Sequence, residues 1–250
     1  MSEALGAQIV SAALLVIGDE ILSGRTKDKN IGHIAERLTE AGVDLREVRV
    51  VSDVEDDIVA ALNALRARYT YVFTTGGIGP THDDITADAV AKAFGVSIDV
   101  DPRARAMLLE YIAEKDLNEA RLRMARIPAG AALVVNSVSK APGFNIGNVY
   151  VMAGVPRIMQ AMLEEIIPTL RSNAPMLSQT VRADAREGDI AAPLKAIAAQ
   201  YPEATIGSYP FFDESGPNTN IVVRSRDPQV VEAARAAVAQ MVADLARARA

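Results

Sequence analysis

The sequence contains no cysteine. Disulfide bonds, thiolate catalysis and cysteine-ligated zinc are therefore excluded outright. Imidazole is nearly as scarce, His33 and His82 being the two in 250 residues. Basic residues are outnumbered by acidic ones, 26 against 32, and the resulting formal charge of -6 argues against a surface built for nucleic acid or an anionic membrane, either of which needs clustered Lys and Arg. The expected partner is a small molecule. Long apolar runs are missing too: the opening MSEALGAQIVSAALLVIGDE has no basic flank or small-residue cleavage pattern, and Gly18 and Asp19 interrupt it well short of a bilayer span. A cytoplasmic protein is the expectation. With half the residues hydrophobic, 23% charged and no repeat or low-complexity tract, the composition is that of a chain that buries a core. Its length suggests a main domain and a smaller companion.

What is present reads as alternating strands and helices. IVSAALLVIG (9–18) is a continuous apolar run closed by glycine, the pattern of a parallel strand buried on both faces. Ile31, Ile34, Ala35 and Leu38 recur at helical spacing, with Asn30 as expected N-cap and Gly42 as stop. DLREVRVVSD reads as a strand, Ile58, Leu62 and Leu65 as a helix face, and YTYVFTTGG as a strand that breaks at its glycines. A helix over 86–95 follows, with Thr86 expected as its cap and Gly95 just past its end. Residues 102–126 look helical and charged, AALVV and NVYVM are strands flanking the turn-rich NSVSKAPGFNIG, and Ile158 to Ile166 give a closing amphipathic helix. Crossovers of this length imply a mainly parallel sheet between helices, with ligands at the strand C-termini. After a Pro-containing break at 168–176 the pattern changes to a compact β-α-β-β-α unit. Two domains are expected, an α/β domain over 8–170 and a small α+β domain over 177–250.

The densest chemistry lies in TTGGIGPTHDD, Thr74 to Asp84. A glycine turn between a buried strand and a helix lets amides approach a phosphate without a Cβ in the way, and the helix start adds positive potential. Gly76, Gly77 and Gly79 supply the turn, and Thr75 and Thr81 supply hydroxyls. The spacing is neither a Rossmann nor a Walker fingerprint, and glycines can also simply make a tight turn. Asp83 and Asp84 read either as helix capping or as carboxylates that tolerate a phosphate through a divalent cation such as Mg2+, Mn2+ or Co2+. Asp53 and Asp19, ending the first two strands, reach the same rim if the sheet is parallel, although Asp19 and Glu20 also read as solvated loop charges. His82 is either a ligand or general acid or an exposed imidazole. Lys140 is a candidate for neutralising phosphate and Asn30 for orienting substrate, while His33 fits packing on a helix flank.

The motifs GDEIL.G...D.N (18–30), TTGGIGPTHDDIT (74–86), IP.GA (127–131), N....APGF (136–144) and GVP (154–156) resemble the molybdopterin-binding (MoaB/MogA-like) superfamily. Within it the likeness is closer to the N-terminal domain of the competence/damage-inducible protein CinA, and closest to the molybdopterin-binding-like domain that precedes the synthase domain of eukaryotic FAD synthases. It covers about 8–170, and the tail, with GSYP (207–210), resembles the small unit that follows in those proteins. The resemblance implies a MogA-like three-layer α/β/α sandwich, a TTGGxGxT loop that holds a phosphorylated pterin or a dinucleotide pyrophosphate, a functional acid pair at Asp53 and Asp84, and a homodimer or homotrimer. No counterpart of the amidase or synthase domains of those families is expected in these residues. Two departures matter. His82 and Asp83 stand where pterin-adenylating members carry a basic residue before a single aspartate, and Ala153 replaces the usual proline. The first favours metal-assisted pyrophosphate hydrolysis, on ADP-ribose or FAD, with Asp84, Asp53 and Asp83 binding the cation. A non-catalytic pterin- or nucleotide-binding module and a molybdopterin adenylyltransferase remain the alternatives.

Overall fold

Strand β1 (Ser11–Ile17) is buried at every position after Ser11, and its alternation divides those residues between two cores. Ala13, Leu15 and Ile17 pack on one face of a sheet, and Ala12, Leu14 and Val16 on the other. A continuous apolar run is what a central strand buried on both faces requires. These features come from a computed structural model that describes residues 9–214 and 216–249. Gln8 and Ala250, the outer limits of the two expected domains, lie outside the described residues, as do the first residues of the N-terminal stretch.

After β1 the chain forms a single turn α1 (Asp19–Leu22), then α2 (Ile31–Glu40), β2 (Asp44–Val51), α3 (Glu55–Arg68), β3 (Tyr71–Thr75) and α4 (Thr86–Phe94). It continues through β4 (Ile98–Val100), α5 (Pro102–Leu109), α6 (Glu119–Leu122), β5 (Arg126–Pro128), β6 (Ala132–Val134), β7 (Gly143–Ile146), β8 (Val149–Met152) and α7 (Pro156–Ile166). The main sheet has the order β2-β1-β3-β8-β7-β6. Its first four members are parallel neighbours, and β7 runs antiparallel to both β8 and β6. Helices α3, α4 and α5 cover one face through Leu62, Val90 and Leu108, and α2 and α7 cover the other through Leu38 and Met162. Burying each such side chain is worth about 1.5–3 kcal/mol, which outweighs the weak propensities of the short strands. The expected three-layer α/β sandwich with a mainly parallel sheet is therefore the observed one.

A second unit comprises β9 (Leu177–Arg182), α8 (Glu187–Gln200), β10 (Thr205–Asp213), β11 (Gly216–Ser225) and α9 (Pro228–Arg249). Its antiparallel sheet has the order β10-β11-β9, and Ile190 and Leu194 of α8 pack with Val238 and Met241 of α9 around Ile221 and Val223. The chain divides into these two units between Asn173 and Ala174. No described helix is long and apolar enough to cross a membrane.

The local structure departs from expectation at four places. Asn30 occupies the N-cap position of α2 as expected, but its side chain makes no cap bond; Asp28 Oδ1 accepts from the Asn30 and Ile31 amides instead, at 3.0 and 2.8 Å. Thr86 is the first residue of α4 rather than its cap, and its hydroxyl turns back to the Gly76 carbonyl at 2.9 Å. Residues 102–126 do not form one helix: Asn118 Oδ1 accepts from the Arg121 amide at 3.0 Å and starts a new helix, and Arg126–Pro128 pairs with β4 as a small antiparallel ribbon. The turn-rich segment before NVYVM contains β7, which forms a hairpin with β8.

One side chain ties the start of β1 to the end of the first unit. Asn173 Oδ1 accepts from the Val10 amide at 2.8 Å, and its Nδ2 donates to the carbonyls of Val10 and Gly42 at 2.8 and 2.9 Å. Asn173→Ala leaves these main-chain groups without that partner, an expected cost of about 1–3 kcal/mol in urea unfolding. A variant as stable as the parent would show that water replaces the side chain freely.

Candidate functional site

Because β1, β2, β3 and β8 are parallel, their C-terminal ends open on one edge of the sheet, and the loops there build the site. The loop after β3 owes its path to glycine. Gly76 and Gly77 have φ of 101° and 66°, in the left-handed region that disfavours other residues. A Cβ on Gly76 would lie 2.1 Å from the Ile17 carbonyl oxygen, and one on Gly77 would lie 2.1 Å from Thr86 Oγ1. Main-chain bonds fix the ends of the turn: the Gly76 amide donates to the Met152 carbonyl at 3.2 Å and the Thr86 amide to the Gly77 carbonyl at 3.0 Å. Gly154, after β8, is less constrained but still closely packed, since a Cβ there would lie 3.2 Å from Gly76 Cα, a tight contact rather than a collision.

Beside this loop lies a cleft of about 600 Å3. Gly76, Gly77, Ile78, Gly79 and Asp84 form one wall, Asn136, Ser139 and Ala141 another, and Ala153 to Pro156 a third. The amides of Gly77, Ile78 and Gly79 donate to no acceptor among the described residues. Among the cleft-lining residues the charged side chains are Glu20 and Asp84, both acidic. The Glu20 carboxyl folds back over Gly18, where a Cβ would meet it at 2.7 Å. Asp84 does not cap α4; its Oδ2 accepts from the Thr81 amide and hydroxyl at 2.8 and 2.5 Å, and it crowds Gly79 closely enough that a Cβ there would lie 2.6 Å from it.

Asp53 and Asp19 meet as parallel strand ends should, the Asp19 amide donating to Asp53 Oδ2 at 2.9 Å. Burial pushes the Asp53 carboxyl above the usual carboxylate range, further than this hydrogen bond pulls it down, and the charges of Asp19, Glu20 and Asp83 act in the same upward direction. The acids thus gather at one rim, with Asp84 and Glu20 in the cleft wall and Asp53 and Asp83 outside it. Among the described residues, no three His, Asp or Glu side chains form a group able to hold a metal ion by themselves.

Other expected participants lie elsewhere. The Thr75 hydroxyl is buried with no partner and is not in the cleft wall, and Thr81 is engaged with Asp84. The His82 side chain is 99% exposed, its Nδ1 3.9 Å from Asp83. Lys140 adopts a left-handed φ of 62° and pairs with Glu110 at 2.9 Å rather than facing the cleft. Asn30 is 5% exposed, and its Nδ2 donates to the Gly154 carbonyl at 2.8 Å, so it supports the wall from behind. His33 Nε2 is buried without a partner on α2. Asn136 is the residue that sequence reasoning passed over, although its position was visible in N....APGF. Fully buried, it accepts from the Val138 and Ser139 amides at 2.9 and 3.2 Å and donates to Ser139 Oγ and the Ala141 carbonyl at 2.6 and 2.9 Å, which fixes the second wall.

An α/β sandwich with a cleft at its strand ends, bordered by a glycine turn, has the architecture of a small-molecule-binding domain. The family model described as "Probable molybdopterin binding domain" matches residues 13–172, and the one described as "FAD synthase, middle domain" matches residues 175–248. The chain belongs to the molybdopterin-binding-domain family. A protein of Pyrobaculum calidifontis is 36% identical over 211 residues, 80% of each chain. A protein of Saccharolobus islandicus (strain L.S.2.15) is 40% identical over 173 residues, and the alignment spans 66% of each. The solved structure of CinA from Thermoplasma acidophilum, described as a protein of unknown function, superposes with a TM-score of 0.61 at 34% identity, over 64% of this chain and 98% of that one.

Two outcomes check the geometry. Gly77→Ala is expected to lower the melting temperature and weaken anion binding together, because φ and the Thr86 hydroxyl both oppose a Cβ; a stable variant with undisturbed binding would contradict the close approach. For Asp53, a folded-state pKa raised above the unfolded value means that the neutral carboxyl favours the native state and that this contribution fades as pH rises through the folded pKa. Asp53→Asn is therefore expected to melt higher than the parent at neutral pH, with the advantage shrinking in acid. An advantage that grows in acid would reverse the assigned sign.

Proposed function

We propose that the chain binds a nucleotide diphosphate compound such as ADP-ribose or FAD and hydrolyses its diphosphate link with a divalent cation. The observation that supports this reading is the composition of the cleft wall, in which unengaged loop amides stand beside charged side chains that are all acidic. A diphosphate can take hydrogen bonds from the amides, but its charge beside Glu20 and Asp84 calls for a counter-ion. Asp84, with Asp53 and Asp83, offers hard carboxylate oxygens suited to Mg2+, Mn2+ or Co2+. Since no three described acids make a cage, phosphate oxygens and water complete the shell. Such a cation, when bound, neutralises charge that develops on the phosphoryl oxygens.

The chain's own residues do the rest. The amides of Gly77, Ile78 and Gly79 hold and orient one phosphoryl group. Thr81 braces the Asp84 carboxylate. Glu20 takes a proton from the attacking water as its oxygen bonds to phosphorus. The P–O–P bridge breaks, the bridging oxygen departs with the second phosphate, and the proton passes to that leaving group. Met124, Val155, Pro156 and Ile158 offer an apolar side to the attached ring system. A phosphorylated pterin held without turnover is the second reading, favoured by the family match over 13–172. Adenylyl transfer is less favoured because no basic side chain is among the residues lining the cleft. Assembly as a dimer or trimer belongs to the same proposal.

Incubation with ADP-ribose, FAD and ATP, with and without each cation, separates the readings. Cation-dependent release of AMP is expected from the first two. In Asp84→Asn, turnover should fall at least about a hundredfold, while cation-free affinity for AMP stays level or rises because a negative charge has gone. Hydrolysis at parental rate in that variant would sink the assignment, and ligand-raised melting without AMP release would establish the binding module.

A further inference from the structure

A second cavity, of about 20 Å3, shares Gly77, Ile78, Gly79, Asp84 and Met124 with the cleft and adds Arg123, which the cleft does not reach. Arg123 Nη2 donates to the main-chain carbonyl of Asp84 at 3.2 Å. Its Nε is buried and has no acceptor. The neighbouring Arg126 is differently situated: it grips Asp88 through both carboxylate oxygens at 2.8 and 2.6 Å. Arg123 forms no ion pair among the described residues. A guanidinium presents five donors and stays charged at any ordinary pH. Here one donor holds the glycine loop at Asp84, and the positive charge is not neutralised by any carboxylate in contact. Orphaned polar groups beside a ligand site mark a place where bound charge completes the balance.

We infer that Arg123 is a positioning residue for the phosphate loop: it fixes the Asp84 end of the turn through the main-chain carbonyl, and its uncompensated charge offsets both the Asp84 carboxylate and a bound phosphate. The loop half of this inference concerns the ligand-free protein, and the charge half rests on the anion-binding reading of the cleft. The cavity is large enough for one water molecule, which would serve the Nε proton without cancelling the charge.

The test uses Arg123→Gln, Arg123→Met and Arg123→Lys in the full chain, each first shown by thermal melting to be folded. Hydrogen exchange of the peptide spanning 76–86 is measured without ligand, and binding of inorganic pyrophosphate by calorimetry at low and high salt. Gln and Met should exchange faster across the loop and bind pyrophosphate on the order of tenfold more weakly at low salt, with a shallower salt dependence. Lys keeps the charge but not the planar fork, and should restore the salt dependence more fully than the loop protection. Parental loop protection in a folded Gln variant overturns the inference, as does parental pyrophosphate affinity with an unchanged salt slope. If the parent itself binds no pyrophosphate, the anion-binding reading and with it the charge role fail, and the exchange result alone decides whether Arg123 positions the loop.

Discussion

The site rests on a steric constraint: three main-chain segments meet with little room for a side chain between them. The ends of β1, β3 and β8 contribute the Ile17 carbonyl, Gly76 and Gly154; a Cβ on Gly76 would collide with the Ile17 carbonyl oxygen at 2.1 Å, and one on Gly154 would press on Gly76 Cα at 3.2 Å. The Thr86 hydroxyl fills the fourth side by bonding to Gly76 and crowding Gly77. Close contact of this kind turns the amides of Gly77 to Gly79 away from ordinary secondary-structure pairing and leaves them available beside the cleft. Packing sets the electrostatics here, because the unpaired donors follow from the backbone path.

Charge around the loop is layered. Acids crowd the open rim, where burial chiefly, and the charges of Asp19, Glu20 and Asp83 in addition, raise the affinity of Asp53 for its proton. A guanidinium that forms no ion pair among the described residues stands at the other cavity that the loop borders. Such an arrangement is costly without a ligand, since like charges at the rim oppose one another and buried donors go unused. Strain of this kind is common where a site is organised for something that is not protein.

Much of this was legible in the sequence, and what was not had a common cause. The two-faced burial of β1 could be read because an uninterrupted apolar run has few other uses, and the glycine loop because strand, glycines and helix stood in order. Asn30 stands at the N-cap position without capping by its side chain, and Thr86 lies one residue past its expected cap position, because the same amide and hydroxyl groups that serve nearby backbone also serve distant backbone. Their partners, Gly154 and Gly76, are 124 and 10 residues away. Strand β7 was hidden by its own composition: Gly, Asn and a preceding Pro suggest a turn, yet pairing on both sides holds Gly143–Ile146 extended. Arg123 carried no signal at all, because one more cation in a charged helical stretch resembles a solvated face until its neighbours are known.

The hairpin of β7 and β8 has a wider consequence. Since β6 and β8 run the same way with β7 reversed between them, the chain visits the ligand edge of the sheet twice within a short span, first at 136–141 and again at 153–156. The turn joining β7 to β8, at Gly147 and Asn148, lies at the far edge and makes no part of the cleft. Two of the three walls are therefore hung on one hairpin: the wall before β7 lies toward the periphery of the sheet, and the wall after β8 carries Gly154 against Gly76 at its centre. Substitutions at 136–141 can therefore reshape the second wall of the cleft while the close contacts of Ile17, Gly76 and Thr86 that set the glycine turn stay as they are.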